Sequence, residues 1–409
     1  MKNQYIYSKG SIISSTMKSI CTLLLCLIVS TNSVSSSNDI EQKSYEELFA
    51  ISKNSYLAND WRNCIKFMKA ALSSYDHYED IVKECRNKCD HLTESTAVST
   101  GFSSLLTYEN SMNFYETLIN GTYCMMKCKR QKLGSYQNSH PDPEIVKNFE
   151  TRLTYDYLQS CYYKVNETKN AADAAFTNLE MNPESEVMRD NLNFYFEKNP
   201  KLKYDELVNL ETKNFVKSFR DGVDAYEKED FDSVIRYFEL GILEYIDAWK
   251  TCRLSCEKPF DMGWFPDFMT SVANHFTYCV RCKRQCLIKL ANLDGEFHHD
   301  IFPLMFHYLQ FAYYKNNDIR KSAECIESYM TLYDSKQMIS NKEYYQELDE
   351  FKKSGNEAWF TPRDNVREYF EIIKRENDLI NSIEDRFKFE EDSKESKVPE
   401  PPISNKMEL

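Results

Sequence analysis

The sequence predicts an all-α protein, built from helix–turn–helix units in two homologous halves and stapled by disulfides. Three observations predict it. Only 9 Gly and 11 Pro punctuate 409 residues, so little interrupts helix formation. One ordered set of motifs occurs twice along the chain. Cysteines recur in i, i+4 pairs, a spacing that puts two sulfurs on one helix face.

The bulk numbers narrow the function. A net charge of −13 argues against nucleic acid, which needs a basic face. With 42% hydrophobic residues the chain can bury a sizeable core, and its length corresponds to two or three domains.

The N-terminus reads as a signal peptide over residues 1–36. Lys18 precedes an apolar run from Ile20 to Val29, and Ser33 and Ser35 supply a small–x–small cleavage pattern. Met17 is an alternative start. The apolar run is too short to span a bilayer, and no later stretch is long and apolar enough to do so. Of the 14 Cys, Cys21 and Cys26 lie in this segment, leaving an even set for an oxidising lumen. Asn120-Gly121-Thr122 and Asn166-Glu167-Thr168 are glycosylation acceptors in the same compartment. The expected location is the endoplasmic-reticulum lumen, with secretion as the other route.

The repeat defines the next elements. Tyr56-Leu-Ala-Asn-Asp60-Trp61 is echoed by Tyr226-Glu-Lys-Glu-Asp230-Phe231, each opening a patterned helix. Cys85-x-x-x-Cys89 is echoed by Cys252-x-x-x-Cys256. Cys124-x-x-x-Cys128-Lys129-Arg130-Gln131 is echoed by Cys279-Val-Arg-Cys282-Lys283-Arg284-Gln285-Cys286. Tyr157-Leu-Gln159-Ser-Cys161-Tyr-Tyr-Lys164 matches Tyr308-Leu-Gln310-Phe-Ala312-Tyr-Tyr-Lys315, and both halves close on Met-x-x-Asn-x-x-x-Tyr, at Tyr195 and Tyr345. The turns fall at Asn59-Asp60, Glu167-Thr168, Glu229-Asp230 and Asn317-Asp318, where Asp and Thr can cap the following helix. An aromatic, a tight polar turn and then small residues such as Ala171, Ala172 and Ala175 resemble tetratricopeptide units, which bury their apolar faces by stacking. The expected organisation is a first helical half over 37–200, a second over 201–370, and an acidic disordered tail over 371–409.

Two chemistries use the cysteine spacing: a zinc site wants four thiolates in a tetrahedron, and disulfides want two helix faces side by side. The oxidising compartment favours disulfides. In an antiparallel helix pair, the first cysteine of one helix faces the second of the other. That arrangement predicts Cys85–Cys128 with Cys89–Cys124, and Cys252–Cys286 with Cys256–Cys282. Cys279-x-x-Cys282 has a redox-motif spacing, but Cys286 one turn further gives Cys282 a structural role. Cys64, Cys161, Cys279 and Cys325 have no counterpart in the other half, and their pairing stays open.

No catalytic, cofactor-binding or metal-ligating residue is expected. His140-Pro141-Asp142 has the His-x-Asp form of a non-haem iron site but sits in a proline-bounded loop. His275 falls in a helical stretch, and His298-His299-Asp300 precedes a helix. No phosphate loop or nucleophile elbow is present.

These motifs are similar to those of the leprecan family. The residues that carry the resemblance are the paired Cys-x-x-x-Cys motifs, Cys282-Lys-Arg-Gln-Cys286, Tyr308–Asp318 and Trp359-Phe-Thr-Pro362-Arg363, covering about Tyr45 to Tyr369. The enzymatic members are prolyl 3-hydroxylases, with a C-terminal dioxygenase domain that uses iron and 2-oxoglutarate. This chain stops where that domain would begin, so the resemblance implies a non-enzymatic member without cofactors. It implies a scaffold or co-chaperone in the endoplasmic reticulum, in complex with prolyl 3-hydroxylase and a cyclophilin-type prolyl isomerase and acting on procollagen. The rival readings are the helical portion of a prolyl 3-hydroxylase, a partner of lysyl hydroxylase, and a general tetratricopeptide adaptor. The ending Lys406-Met407-Glu408-Leu409 resembles a Lys-Asp-Glu-Leu retrieval signal.

Overall fold

The protein is described by a computed structural model covering residues 43–94, 108–135, 141–257, 267–293, 296–354 and 357–386. The signal-peptide segment, His140 and the Lys406–Leu409 ending lie outside the described residues. The chain divides into two compact units, Met1–Asp205 and Glu206–Leu409.

In the first unit, α1 (Tyr45–Leu57) and α2 (Trp61–Glu94) form a hairpin, and α3 (Tyr108–Leu133) folds back on α2. After α4 (Pro143–Glu150), a second hairpin of α5 (Leu153–Lys164) and α6 (Thr168–Met181) leads to α7 (Glu186–Lys198). The second unit repeats the order. Its hairpin is α8 (Asn214–Glu227) and α9 (Phe231–Ser255), with α10 (Phe268–Leu290) folded back on α9. A two-stranded antiparallel ribbon, β1 (Asn292–Leu293) and β2 (Glu296–Phe297), then leads into α11 (Ile301–Lys315) and α12 (Ile319–Leu332). The unit continues with α13 (Lys336–Glu347), α14 (Asp349–Ser354) and α15 (Asp364–Arg386).

The four hairpin turns are one device used four times. Asn59, Asn166, Glu229 and Asn317 adopt left-handed backbone, with φ of 60°, 66°, 57° and 58°. The next residue donates its backbone N–H back across the turn: Asp60 to Ser55, Glu167 to Tyr162, Asp230 to Ala225 and Asp318 to Tyr313. This closes a Schellman motif, and the same residue starts the next helix. Asp230 and Asp318 also cap that helix, accepting from the backbone N–H of Ser233 and Lys321. The second turn therefore sits one residue earlier than Glu167-Thr168, because Asn166 takes the left-handed position that asparagine tolerates best. At Glu229 a longer side chain holds that strained backbone. Glu229→Asn is expected to stabilise the second unit by roughly 0.5–1 kcal/mol, read as a rise in its thermal unfolding temperature.

Each unit buries one matched polar pair. The Tyr195 hydroxyl donates to the side-chain carbonyl of Gln159 in the first, and the Tyr345 hydroxyl to that of Gln310 at 2.6 Å in the second. Both glutamines are 2% exposed, so each needs such a partner. The unit cores differ in detail at the hairpin crossing. Gly222 is packed so tightly on the Phe238 ring that an added Cβ would lie 2.8 Å from it. The equivalent crossing in the first unit has Ser52 against α2, its hydroxyl donating to the Cys64 carbonyl at 2.8 Å.

The expectation of a disordered tail from residue 371 is corrected: α15 runs unbroken to Arg386. Val366, Tyr369 and Ile380 are buried along one face of it. Tyr369 enters the core beside Trp249, at 4.7 Å between ring centroids, and Phe302, at 4.9 Å. Arg253 of α9 holds Glu376 by two hydrogen bonds of 2.7 and 2.6 Å. The spacing Val366, Tyr369, Ile373, Glu376, Ile380 is a helical stripe, obscured in the sequence by the charges between its members.

Candidate functional site

The long helices of each unit are cross-linked by two disulfides. Cys85 pairs with Cys128 and Cys89 with Cys124, at Cα separations of 5.7 and 5.9 Å, joining α2 to α3. Cys252 pairs with Cys286 and Cys256 with Cys282, at 5.9 and 5.6 Å, joining α9 to α10. These are the residues that antiparallel packing places opposite one another. Zinc would need four thiolates, and all eight of these sulfurs are already in sulfur–sulfur bonds. The doublets also correct the repeat alignment. Cys282 stands where Cys124 does, and Cys286 where Cys128 does, so the shared Cys-Lys-Arg-Gln string is out of register by one helical turn. Short strings repeat by chance, whereas the disulfides fix which turn faces which.

A fifth bond joins Cys64 of α2 to Cys161 of α5, 97 residues apart. Sequence reasoning left these two residues open. Their equivalents in the second unit are Val234 and Ala312, both 0% exposed, so the bond occupies core positions that the repeat shares. Cys279 and Cys325 are buried and take no part in these disulfides. Burial pushes the Cys325 thiol up to about 12, although Arg363 beside it opposes the shift.

The remaining candidate residues are structural where they are described. Asp142 caps α4, accepting from the Glu144 N–H at 2.9 Å, with Pro143 at the first helical position. His298 donates its backbone N–H to the Ala291 carbonyl at 2.7 Å, and the His299 ring lies between those of Phe297 and Tyr333. Among the described residues no group of three His, Cys, Asp or Glu is placed to hold a metal ion, and no helix is long and apolar enough to cross a membrane. Asn166 is exposed at its turn, and Asn120 is exposed in the middle of α3.

The surface that stands out is the outward side of α3. Its inward side carries Cys124 and Cys128. Its outward side exposes Tyr115, Leu118, Ile119, Tyr123 and Met126, the last three between 59% and 67% exposed. With Thr122, most of them line a shallow depression of roughly 360 Å³. Contiguous exposed apolar side chains on one helix face mark an interaction site more often than chance. The matching helix α10 is treated differently, because α15 packs on it and Glu384 reaches Arg281 and Arg284.

Comparison with known proteins adds to this geometry. Residues 44–349 match the model of the leprecan family TPR-like repeat region. Prolyl 3-hydroxylase 2 of Mus musculus is 29% identical over 346 residues, a stretch covering 82% of this chain and 48% of that protein. The chain thus spans about half the length of that relative. Cartilage-associated protein of Homo sapiens is 29% identical over 339 residues, covering 82% of each chain. Endoplasmic reticulum protein SC65 of Homo sapiens is 27% identical over 351 residues, covering 85% of this chain and 79% of that protein.

Proposed function

Since the chain belongs to the leprecan family, we propose that it is a non-enzymatic scaffold and co-chaperone of the endoplasmic-reticulum lumen. It assists prolyl 3-hydroxylation and folding of procollagen by binding a prolyl 3-hydroxylase and a cyclophilin-type prolyl isomerase. The observation that carries this reading is the outward face of α3. Repeat helices bury their apolar faces on neighbours, yet this one presents Ile119, Tyr123 and Met126 to solvent while two disulfides hold its other side in place. A braced apolar helix face loses little freedom on binding, so more of its burial appears as affinity. The disulfides and the acceptor at Asn166 suit the lumen, and a relative named for the endoplasmic reticulum supports the location. Asn120 lies well around α3 from the centre of the apolar row, so Asn120 and Asn166, both exposed, are the acceptors we assign.

The likeness to prolyl 3-hydroxylase 2 supports a second reading, in which these repeats are the helical portion of a hydroxylase. One preparation separates the two. The chain alone, given iron, 2-oxoglutarate and a proline-rich collagen-like peptide, is expected to form no hydroxyproline. Mixed with prolyl 3-hydroxylase and a cyclophilin-type isomerase, it is expected to sediment as a complex. The double change Ile119→Asp with Tyr123→Asp is expected to weaken that complex by about a hundredfold, at an unchanged unfolding temperature. Hydroxyproline formed by the chain alone would move the assignment to the second reading. Full binding by the double variant would remove α3 from the interface.

A further inference from the structure

In the second unit α15 packs on α10, and Glu384 in the last turn of α15 reaches Arg281 and Arg284 at 3.8 and 3.9 Å. The disulfides align the two units. Cys282 stands where Cys124 does, so Arg281 and Arg284 correspond to Tyr123 and Met126 of α3. The place that a helix covers in one unit is therefore the middle of the exposed apolar row in the other. That row runs Met112, Tyr115, Ile119, Tyr123 and Met126, and Arg130 ends it. Steps of three and four residues put all six on one helix face, about 27 Å long at the usual α-helical rise.

We infer that this row receives an acidic amphipathic helix of a partner protein, docked on α3 as α15 docks on α10. The inference rests on the scaffold reading and names what its α3 face binds. The backbone N–H and C=O groups of α3 are spent inside the helix, so it offers no edge to an added strand. Side chains four residues apart form a ridge, and the ridges of a second helix fit the grooves beside it. The repeat already uses that solution at the equivalent place. Charge specifies the partner further. After Glu116, α3 contains no acidic residue, and Lys127 and Arg130 are exposed at the end of the row. Lys132 is held by Glu84, whereas Lys127 and Arg130 have no carboxylate partner among the described residues. On α10 the arginines that meet Glu384 occupy the middle of the face. On α3 those places are apolar, and the exposed cations come one turn later. The partner helix is therefore apolar where α15 has Glu384, and carries Asp or Glu beside Lys127 and Arg130.

The full chain, with p-benzoylphenylalanine in place of Tyr123, would be assembled with prolyl 3-hydroxylase and the cyclophilin-type isomerase, irradiated and mapped by peptide mass. The crosslink is expected in a segment with apolar residues at helical spacing and Asp or Glu after them. That segment, made as a peptide, is expected to gain helical circular dichroism when the chain is added. Proline at its centre is expected to weaken its binding by about a hundredfold. Lys127→Glu with Arg130→Glu is expected to weaken the complex about tenfold at low salt, with the difference closing at about 0.5 M salt. Lysine in place of the acidic residues of the partner segment is expected to restore binding to that variant. A complex that weakens with Ile119→Asp and Tyr123→Asp, yet crosslinks to a loop or strand or gives a peptide with no helical gain, would overturn the helix and leave the scaffold reading standing. Indifference to Lys127→Glu with Arg130→Glu would overturn its acidic character. A complex untouched by Ile119→Asp with Tyr123→Asp would overturn the docked helix and remove α3 from the scaffold reading.

Discussion

Replacing Cys64 by valine together with Cys161 by alanine is expected to destabilise the first unit by about 3–5 kcal/mol. The bond closes 97 residues, the longest loop of the five disulfides among the described residues. Chain-entropy reasoning gives about 4.7 kcal/mol for a loop of that length. The replacements are those that the second unit uses at the same places, Val234 and Ala312, so the packing lost is small. Urea unfolding followed by the aromatic signal of the intact chain measures it, with the second unit's transition as reference. A loss under about 1 kcal/mol would mean that the first unit's unfolded chain is already constrained by the Cys85–Cys128 and Cys89–Cys124 bonds. The second unit has Val234 and Ala312 in place of that bond, and close by Phe238 stacks on Tyr308 at 5.0 Å.

Arg363→Ala is expected to cost the second unit about 2–4 kcal/mol. Its guanidinium donates to both oxygens of Glu239, at 2.8 and 2.7 Å, and lies 3.0 Å from Glu324. The Tyr313 hydroxyl also donates to Glu239, at 2.6 Å. Removing one partner of a buried ion pair leaves the other unpaired, at about 3–5 kcal/mol. The two carboxylates keep 35% and 38% exposure, which lowers the figure. The change also alters the pH response. Burial works to raise the Glu239 pKa, but the hydrogen bonds and charge of Arg363 outweigh it and hold the carboxyl below the usual range. A depressed carboxyl stabilises the fold fully above its unfolded pKa, about 4.3, and loses that contribution as the pH falls through the folded value. The second unit is therefore expected to weaken below about pH 4, and Arg363→Ala to flatten that part of the profile. Thermal unfolding between about pH 3 and 7 reads both effects. An Arg363→Ala profile with the same acid limb would show that other carboxylates govern it.

The sequence itself carried much of this. Helices were legible because few breakers interrupt their periodicity, and duplication showed which segments are equivalent. The doublet pairing was legible because i, i+4 spacing and antiparallel packing leave one way for four sulfurs to meet. The disulfide between Cys64 and Cys161 was not, since its partners are isolated in sequence and meet only when α5 docks on α2. The same holds for α15: Val366, Tyr369 and Ile380 form a stripe only once a core exists to receive them. Which apolar face stays open was beyond the sequence as well, because α3 and α10 are equivalent helices and only the assembled unit shows that α15 packs on α10. Periodicity and spacing are local properties that one chain segment encodes. Long-range pairing and exposure belong to the assembled unit, where the neighbour of a side chain can lie a hundred residues away.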